Sequence, residues 1–403
     1  MVLSEISPPV VAHTRFPLSE PKPRMCVLAA TPLTIHFFLT SHLRQLAKYF
    51  QLTLVCNPRN DPYIPALDLP VHQLAMPISR KIALVSDLFV FFSLCRLFAI
   101  ERFDIVVTVV PKAGLLGMVA SWLMGVPVRV HIFQGEVWAS RRGLIRFMLK
   151  WMDSVTARLA THLLAVSISE KNFLEAEGVA HIGKVQVLGA GSICGVDTEI
   201  FRSNASARDR VRGLLTVPKE AVVCLFLGRL TTDKGVLELL QAFTLCAAQQ
   251  SDLWLLLVGP DEDQIESRVA ELVPRRLVHR IRTLGFTEKP EEILAASDFL
   301  CLPSYREGFG IVILEAAAVG IPAIGTDIYG MRDAIADGQT GRLVPVRDVD
   351  ALAIAITWWC QNPQELALFG HAARERVTLS FEKNIVVENY VKFFRKLFGG
   401  DGE

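Results

Sequence analysis

In the stretch SYREGFGIVILEAAAVGIPAIGTD, residues 304–327, two carboxylates stand eight positions apart in an otherwise apolar run: Glu307 and Glu315. Between them lie Gly308, Phe309 and Gly310, and glycines there let backbone N–H groups come close to a ligand. The pattern predicts a strand ending at Pro303 and a helix from about Gly310 to Val319, stopped by Gly320 and Pro322. A helix N-terminus behind such a turn favours an anion. An ionised carboxylate is an acceptor-only group with two oxygens, so either glutamate could take two sugar hydroxyls at once. The plainer alternative makes Glu307 a helix-start charge and Glu315 a solvated surface residue. The flanking IVILEAAAVG leaves little polar face for Glu315 to belong to.

A second segment answers the first. VVCLFLGRLTTDKGVLELLQAF again reads as strand, glycine, loop and helix, and its loop carries Arg229 and Lys234. Two cations beside a helix N-terminus suit a diphosphate, the arginine as a planar fork and the lysine as a point charge. Alone they would read as surface charges; with the glutamate segment downstream they read as part of one site.

Elements must hold these loops together. Apolar runs of five to eight residues (RMCVLAA, QLTLVCN, FDIVVTVV, VRVHIF, HLLAVS and KVQVLGA, then VVCLFLG, LWLLLVG, RIRTLGF, DFLCLPS, IPAIGTD and GRLVPV) alternate with helical stretches. Continuous runs rather than strict alternation indicate strands buried on both faces, hence parallel sheets flanked by helices. The fold class is α/β, with two doubly wound Rossmann-like domains facing across a cleft. A Pro/Ser-rich tail, expected to be disordered, occupies residues 1–23. An N-terminal domain then spans 24–195, a C-terminal domain 196–378, and an amphipathic helix in 379–403 crosses back to the first domain.

Lys/Arg number 42 and Asp/Glu 41, a net charge of +1 that argues against a nucleic-acid partner. The halves differ: 19 against 12 in residues 1–190, and 23 against 29 in the remainder. The basic first half suggests an anionic surface or phosphates as its neighbour. None of the eight cysteines forms a C-x-x-C pair, which points to reduced thiols and a cytoplasmic location. IALVSDLFVFFSLCRLFAI, residues 82–100, holds 12 Leu/Ile/Val/Phe together with Asp87 and Arg96. Insertion would gain roughly 4–7 kcal/mol from the former and lose roughly 5–7 to the latter, so a core helix is expected rather than a membrane span.

FLGRLTTDKG followed by SYREGFGIVILEA closely resembles the retaining nucleotide-sugar glycosyltransferases of family 4, which have the GT-B architecture. VLGAGSICGVDTEIF is similar to that family's interdomain stretch, so the resemblance covers nearly the whole chain. It implies that Glu307 contacts the donor sugar, and that Gly308, Phe309 and Gly310 offer backbone donors. Glu315 would hold the ribose hydroxyls, while Arg229 and Lys234 bind the diphosphate and stabilise it as it leaves. RTLGFTEK matches the base-holding segment around Leu284 to Phe286. No metal is implied, and no glutamate nucleophile; attack would be front-face with retention. Many members carry His-Gly where this chain reads VRVHIFQGEVW, with Gln134 before Gly135 and the nearest histidine at His131. Gln134, Gly135, Glu136 and His131 are therefore the candidates for donor-sugar contact. The first loop, ATPLTIHFFLTSHL, lacks the family's Gly-Gly pair and leaves His36 as a weak candidate.

SRRGLIRFMLKWMDSVTARLATHL interleaves Arg141, Arg142, Arg146 and Lys150 with large apolar side chains, the pattern of an interfacial helix or of a domain helix with a solvated basic face. The stretch resembles family members that extend lipid-linked sugars. Together these imply a cytoplasmic enzyme, peripheral on the inner face of the plasma membrane. It would move a hexose or N-acetylhexosamine from a nucleotide-diphosphate sugar, UDP before GDP, to a lipid-linked or lipopolysaccharide acceptor. A nucleotide-sugar epimerase on the same fold and an inactive sugar-nucleotide-binding scaffold are the alternatives.

Overall fold

The computed structural model describes residues 22–57, 69–79 and 83–399; all but the last two residues of the expected tail lie outside them. Thirteen strands form two parallel sheets among the described residues. The first holds β1 (Arg24–Leu28), β2 (Gln51–Cys56), β3 (His72–Ala75), β4 (Ile105–Val109), β5 (Val128–Phe133), β6 (His162–Ala165) and β7 (Val185–Gln186), in the order β3-β2-β1-β4-β5-β6-β7. The second holds β8 (Val222–Leu227), β9 (Leu253–Val258), β10 (Ile281–Leu284), β11 (Phe299–Leu302), β12 (Ala323–Thr326) and β13 (Gly341–Val344), in the order β10-β9-β8-β11-β12-β13. In both sheets the order reverses beside the first strand, and that reversal opens a crevice at the carboxyl ends of the strands.

The apolar runs behave as two-faced burial requires: β4 and β11 are buried at every position. β3 is the exception. HQLA is mostly exposed, and it pairs in parallel with β2 at the sheet edge from Thr53↔His72 to Cys56↔Ala75. In the second unit the helices Val236–Ala247 and Val349–Gln361 pack together, as do Ile311–Val319 and Pro363–Ser380.

The helix Lys383–Lys396 packs against the helix Thr40–Leu46 of the first unit. Tyr390 meets His42 edge-on with ring centres 4.8 Å apart, and Arg395 stacks over Tyr49. Burial pushes the His42 pKa down to about 4, against the backbone of Phe38, which raises it.

The helix Leu84–Glu101 is less of a core element than its composition suggests. It buries the stripe Val90, Leu94 and Phe98 but exposes Leu84, Val85, Leu88, Phe89 and Phe92. Asp87 is held by Lys112 at 2.6 Å. Among the described residues no helix is long and apolar enough to cross a membrane. All eight cysteines are free thiols.

Candidate active site

Strand β11 ends at Leu302, and the helix Ile311–Val319 begins after Gly310, whose φ of 77° only glycine adopts freely. No side chain caps this helix and no acid lies in its first turn, so its N–H groups remain available to an anion. On the parallel arm β8 leads through Arg229 into a short turn ending at Lys234. Gly235 follows with φ 71°, and a Cβ there would stand 2.1 Å from the Pro303 carbonyl oxygen. This close approach locks the two loops together. Lys234 Nζ is ion-paired with Glu307 Oε1, which also accepts from Ser304 Oγ at 2.9 Å.

Arg229 behaves differently. Its guanidinium pairs with Glu262 at 2.7 Å, both side chains being nearly half exposed. An exposed pair of this kind contributes little and can be exchanged for a ligand at small cost. Glu315 makes no hydrogen bond among the described residues, and burial, reinforced by Glu291, raises its pKa to about 7. Phe286, just past β10, is exposed. The Phe309 ring is buried, packing near Phe381 with ring centres 5.3 Å apart. It also fills the space beside Gly191, so its side chain holds the seam while its backbone belongs to the turn.

The loop after β5 meets this turn from the other unit. A Cβ at Gly135 would stand 2.8 Å from Gly308 N, and one at Gly308 would stand 2.7 Å from the Gln134 carbonyl carbon. Arg306 donates to Gly135 O at 3.2 Å. The Gln134 amide nitrogen is buried with no hydrogen-bond partner among the described residues. His131 borders a small cavity together with Gln134, Gly135 and Glu136 but is itself closed off. It is 1% exposed, its Nδ1 is 2.7 Å from Thr108 Oγ1, and its ring lies against Gly114. Burial pushes its pKa down to about 3. It is a neutral strand residue, with almost no surface to offer a sugar. His36 is exposed on a π-helical turn, Ile35–Leu39, edge-on to Phe37.

Behind Gly135 the candidate Glu136 is buried beside two acids that the sequence analysis did not single out, Glu170 and Asp153. Glu170 accepts from Gly135 N, and from Val166 N at 2.9 Å. Glu136 donates its N–H to Tyr329 Oη at 3.2 Å. Its carboxyl oxygens face Tyr329 and Glu170 without a well-formed hydrogen bond. Burial raises the pKa of Glu136 to about 7; burial and the neighbouring charge of Glu136 raise that of Glu170 well above the carboxylate range. Asp153, bonded by Trp138 Nε1 at 2.8 Å, is also raised by burial, to about 7.

A second tie crosses the seam. Asp333 caps the helix Ile168–Ala176, accepting from Ile168 N at 3.0 Å and Ser169 N at 3.1 Å, and Gly330 N donates to Ser169 Oγ at 2.7 Å. The one local signal for this region was the capping-box spacing Ser167-x-x-Glu170. Ser167 does accept from Glu170 N at 3.0 Å. The glutamate, however, reaches across to Gly135.

Known proteins share this fold. The family model described as "Glycosyl transferases group 1" matches residues 208–376, and "Glycosyl transferase 4-like domain" matches residues 39–191. The capsular polysaccharide biosynthesis glycosyltransferase CapM of Staphylococcus aureus is 29% identical over 314 residues, covering 78% of this chain and 82% of that protein. The UDP-Gal:alpha-D-GlcNAc-diphosphoundecaprenol alpha-1,3-galactosyltransferase of Escherichia coli is 29% identical over 311 residues, covering 76% and 79%. Among solved structures, Anabaena Alr3699/HepE in complex with UDP superposes with a TM-score of 0.75 at 17% identity, over 93% of this chain and all of that one. WaaG, a glycosyltransferase involved in lipopolysaccharide biosynthesis, gives 0.70 at 15% identity over 92% and 99%. The two sheets, their facing crevices and both family matches make one assignment: this chain is a glycosyltransferase of family 4 with the GT-B fold.

Proposed function

We propose that the protein transfers a hexose or N-acetylhexosamine, with retention, from a UDP-sugar to a lipid-linked or lipopolysaccharide acceptor in cell-surface polysaccharide synthesis. The observation that carries this is the meeting of Lys234, Glu307 and Gly308 with the Gln134–Glu136 turn at one seam. In this reading Glu307 and the unpartnered Gln134 amide bind donor-sugar hydroxyls. The N–H groups of Gly308, Phe309 and Gly310 face the sugar and phosphate, and Glu315 takes the ribose hydroxyls while Phe286 borders the base. The acceptor hydroxyl attacks the anomeric carbon on the face the diphosphate leaves. As the carbon–oxygen bond to the β-phosphate breaks, the hydroxyl proton passes to the departing phosphate oxygen. Lys234 and Arg229 stabilise the charge that develops there. No metal is required in this scheme.

Support for UDP and for a lipid-linked acceptor comes from the proteins named above: one was solved in complex with UDP, and another acts on a diphosphoundecaprenol sugar. The helix Gly143–Leu159 exposes Leu144, Ile145, Phe147, Met148 and Trp151 beside Arg141 and Arg142. Such a face supports a peripheral position on the cytoplasmic side of a membrane. The test is incubation with UDP- and GDP-sugars and a lipid-linked acceptor, with the anomeric configuration of the product read by NMR. An α product from an α donor supports the proposal. Inverted product, epimerised donor without transfer, or no turnover contradicts it.

A further inference from the structure

A cleft of about 760 Å³ opens between the units beside, and distinct from, the Lys234–Glu307 site. Its walls carry Arg141, Arg142 and Arg146 from one unit and Tyr305 and Arg347 from the other. Four guanidinium groups converge on one space, and they are unequally engaged. Arg146 binds Glu177 at 2.7 Å and lies over Trp138. Arg347 stacks on Tyr305, 4.4 Å from the ring centre, and holds a φ of 63° that a non-glycine residue rarely adopts. Neither Arg347 nor Arg141 nor Arg142 has a carboxylate partner among the described residues. No acid is among the described residues that line the cleft; Glu238, behind Tyr305, accepts from its Oη.

The lining of the cleft includes none of Arg229, Lys234, Glu307 and Glu315. Tyr305 and Arg347 adjoin the helices Val236–Ala247 and Val349–Gln361, whereas Glu315 stands on the helix Ile311–Val319, which packs with a different partner. Glu307 follows Tyr305 by two residues, so the cleft adjoins the Lys234–Glu307 pair. On its outer side the cleft runs onto apolar surface: Leu144, Ile145 and Phe147 are exposed in the same first turns of helix that supply Gly143 and Arg146 to its wall. A ligand matching both parts carries a compact polyanion joined to a hydrocarbon chain.

Resting on the transferase reading above, we propose that this arginine cleft takes the diphosphate of a prenyl-diphosphate-linked acceptor. The prenyl chain then leaves over Leu144, Ile145 and Phe147, and the attached sugar points toward Glu307. Arginine suits the task because its planar fork binds phosphate oxygens in pairs.

The experiment compares wild type with the Arg141→Gln/Arg142→Gln and Arg347→Gln variants, titrated with farnesyl diphosphate, inorganic pyrophosphate and UDP. Both variants should bind farnesyl diphosphate about tenfold or more weakly and keep the wild-type affinity for UDP. Equal farnesyl diphosphate binding by wild type and variants overturns the proposal. A parallel loss of UDP binding also overturns it, by assigning the cleft to the donor. Sedimentation with phosphatidylglycerol and phosphatidylcholine vesicles separates an ordinary lipid headgroup. If the substitutions abolish binding to phosphatidylglycerol vesicles yet leave farnesyl diphosphate binding intact, the cleft is a membrane anchor and the proposal fails. The response of the wild type to UDP is scored on its own: no binding there sinks the transferase reading, while the farnesyl diphosphate comparison still decides the cleft.

Discussion

Lys234 and Glu307, 73 residues apart in sequence, form an ion pair at the mouth of the crevice. Each is the other's main counter-charge before any donor arrives, so a bound sugar-diphosphate must share or replace that contact. Lys234→Ala and Glu307→Gln should therefore each lower kcat by about 10²–10³, the usual consequence of removing one charge-stabilising group. Steady-state kinetics with UDP-sugar check this. An effect confined to KM in both variants would mean that the pair binds the donor without stabilising the departing charge.

The Gly135–Gly308 contact makes a second demand. Gly308→Ala would place a methyl 2.7 Å from the Gln134 carbonyl carbon, and this is backbone that cannot rotate away. The expected result is an intact fold by circular dichroism, a larger radius of gyration by small-angle scattering, and kcat/KM down by about 10². A fully active alanine variant would show that catalysis does not need this seam closed.

The acids behind the seam imply a pH effect with a definite sign. The pKa of Glu136 rises from the ordinary value of 4.5 to about 7 in the folded protein. Between those values the unfolded chain releases a proton that the folded chain keeps, so this group's contribution to stability is full below pH 4.5 and declines as pH rises through 7. Glu136→Gln carries no such ionisation. Chemical denaturation at pH 5 and pH 8 should show the variant gaining relative to wild type at the higher pH, on the order of 2 kcal/mol. A pH-independent difference would count against the buried acid.

Much of this architecture was legible in the sequence because a parallel strand buried on both faces leaves an unbroken apolar run. The predicted strand end and helix at residues 303–319 lie within a residue of β11 and the helix Ile311–Val319. β3 was missed because HQLA at an exposed edge carries no such run. The face exposed by Leu84–Glu101 was equally hidden, since composition says how apolar a helix is and not what covers it. In the site, glycines and like-spaced charges pointed to the loops. The pairing of Arg229 with Glu262, the reach of Glu170 to Gly135 and the capping by Asp333 depend on which chains meet in space, and no local pattern encodes that. His131 looked eligible because its neighbours matched the family's loop, yet strand alternation turns it inward onto Thr108.

The most direct measurement is calorimetric titration of UDP and GDP into wild type and Glu315→Gln at pH 6 and pH 8. A carboxylate with its pKa near 7 that accepts two ribose hydroxyls must be ionised to bind, so UDP affinity should weaken as pH falls from 8 to 6. The account predicts that wild type binds UDP more tightly than GDP and shows this dependence. Glu315→Gln should bind about tenfold or more weakly and lose the dependence. Wild type that binds neither nucleotide, or a Glu315→Gln variant indistinguishable from it, would contradict the placement of the donor.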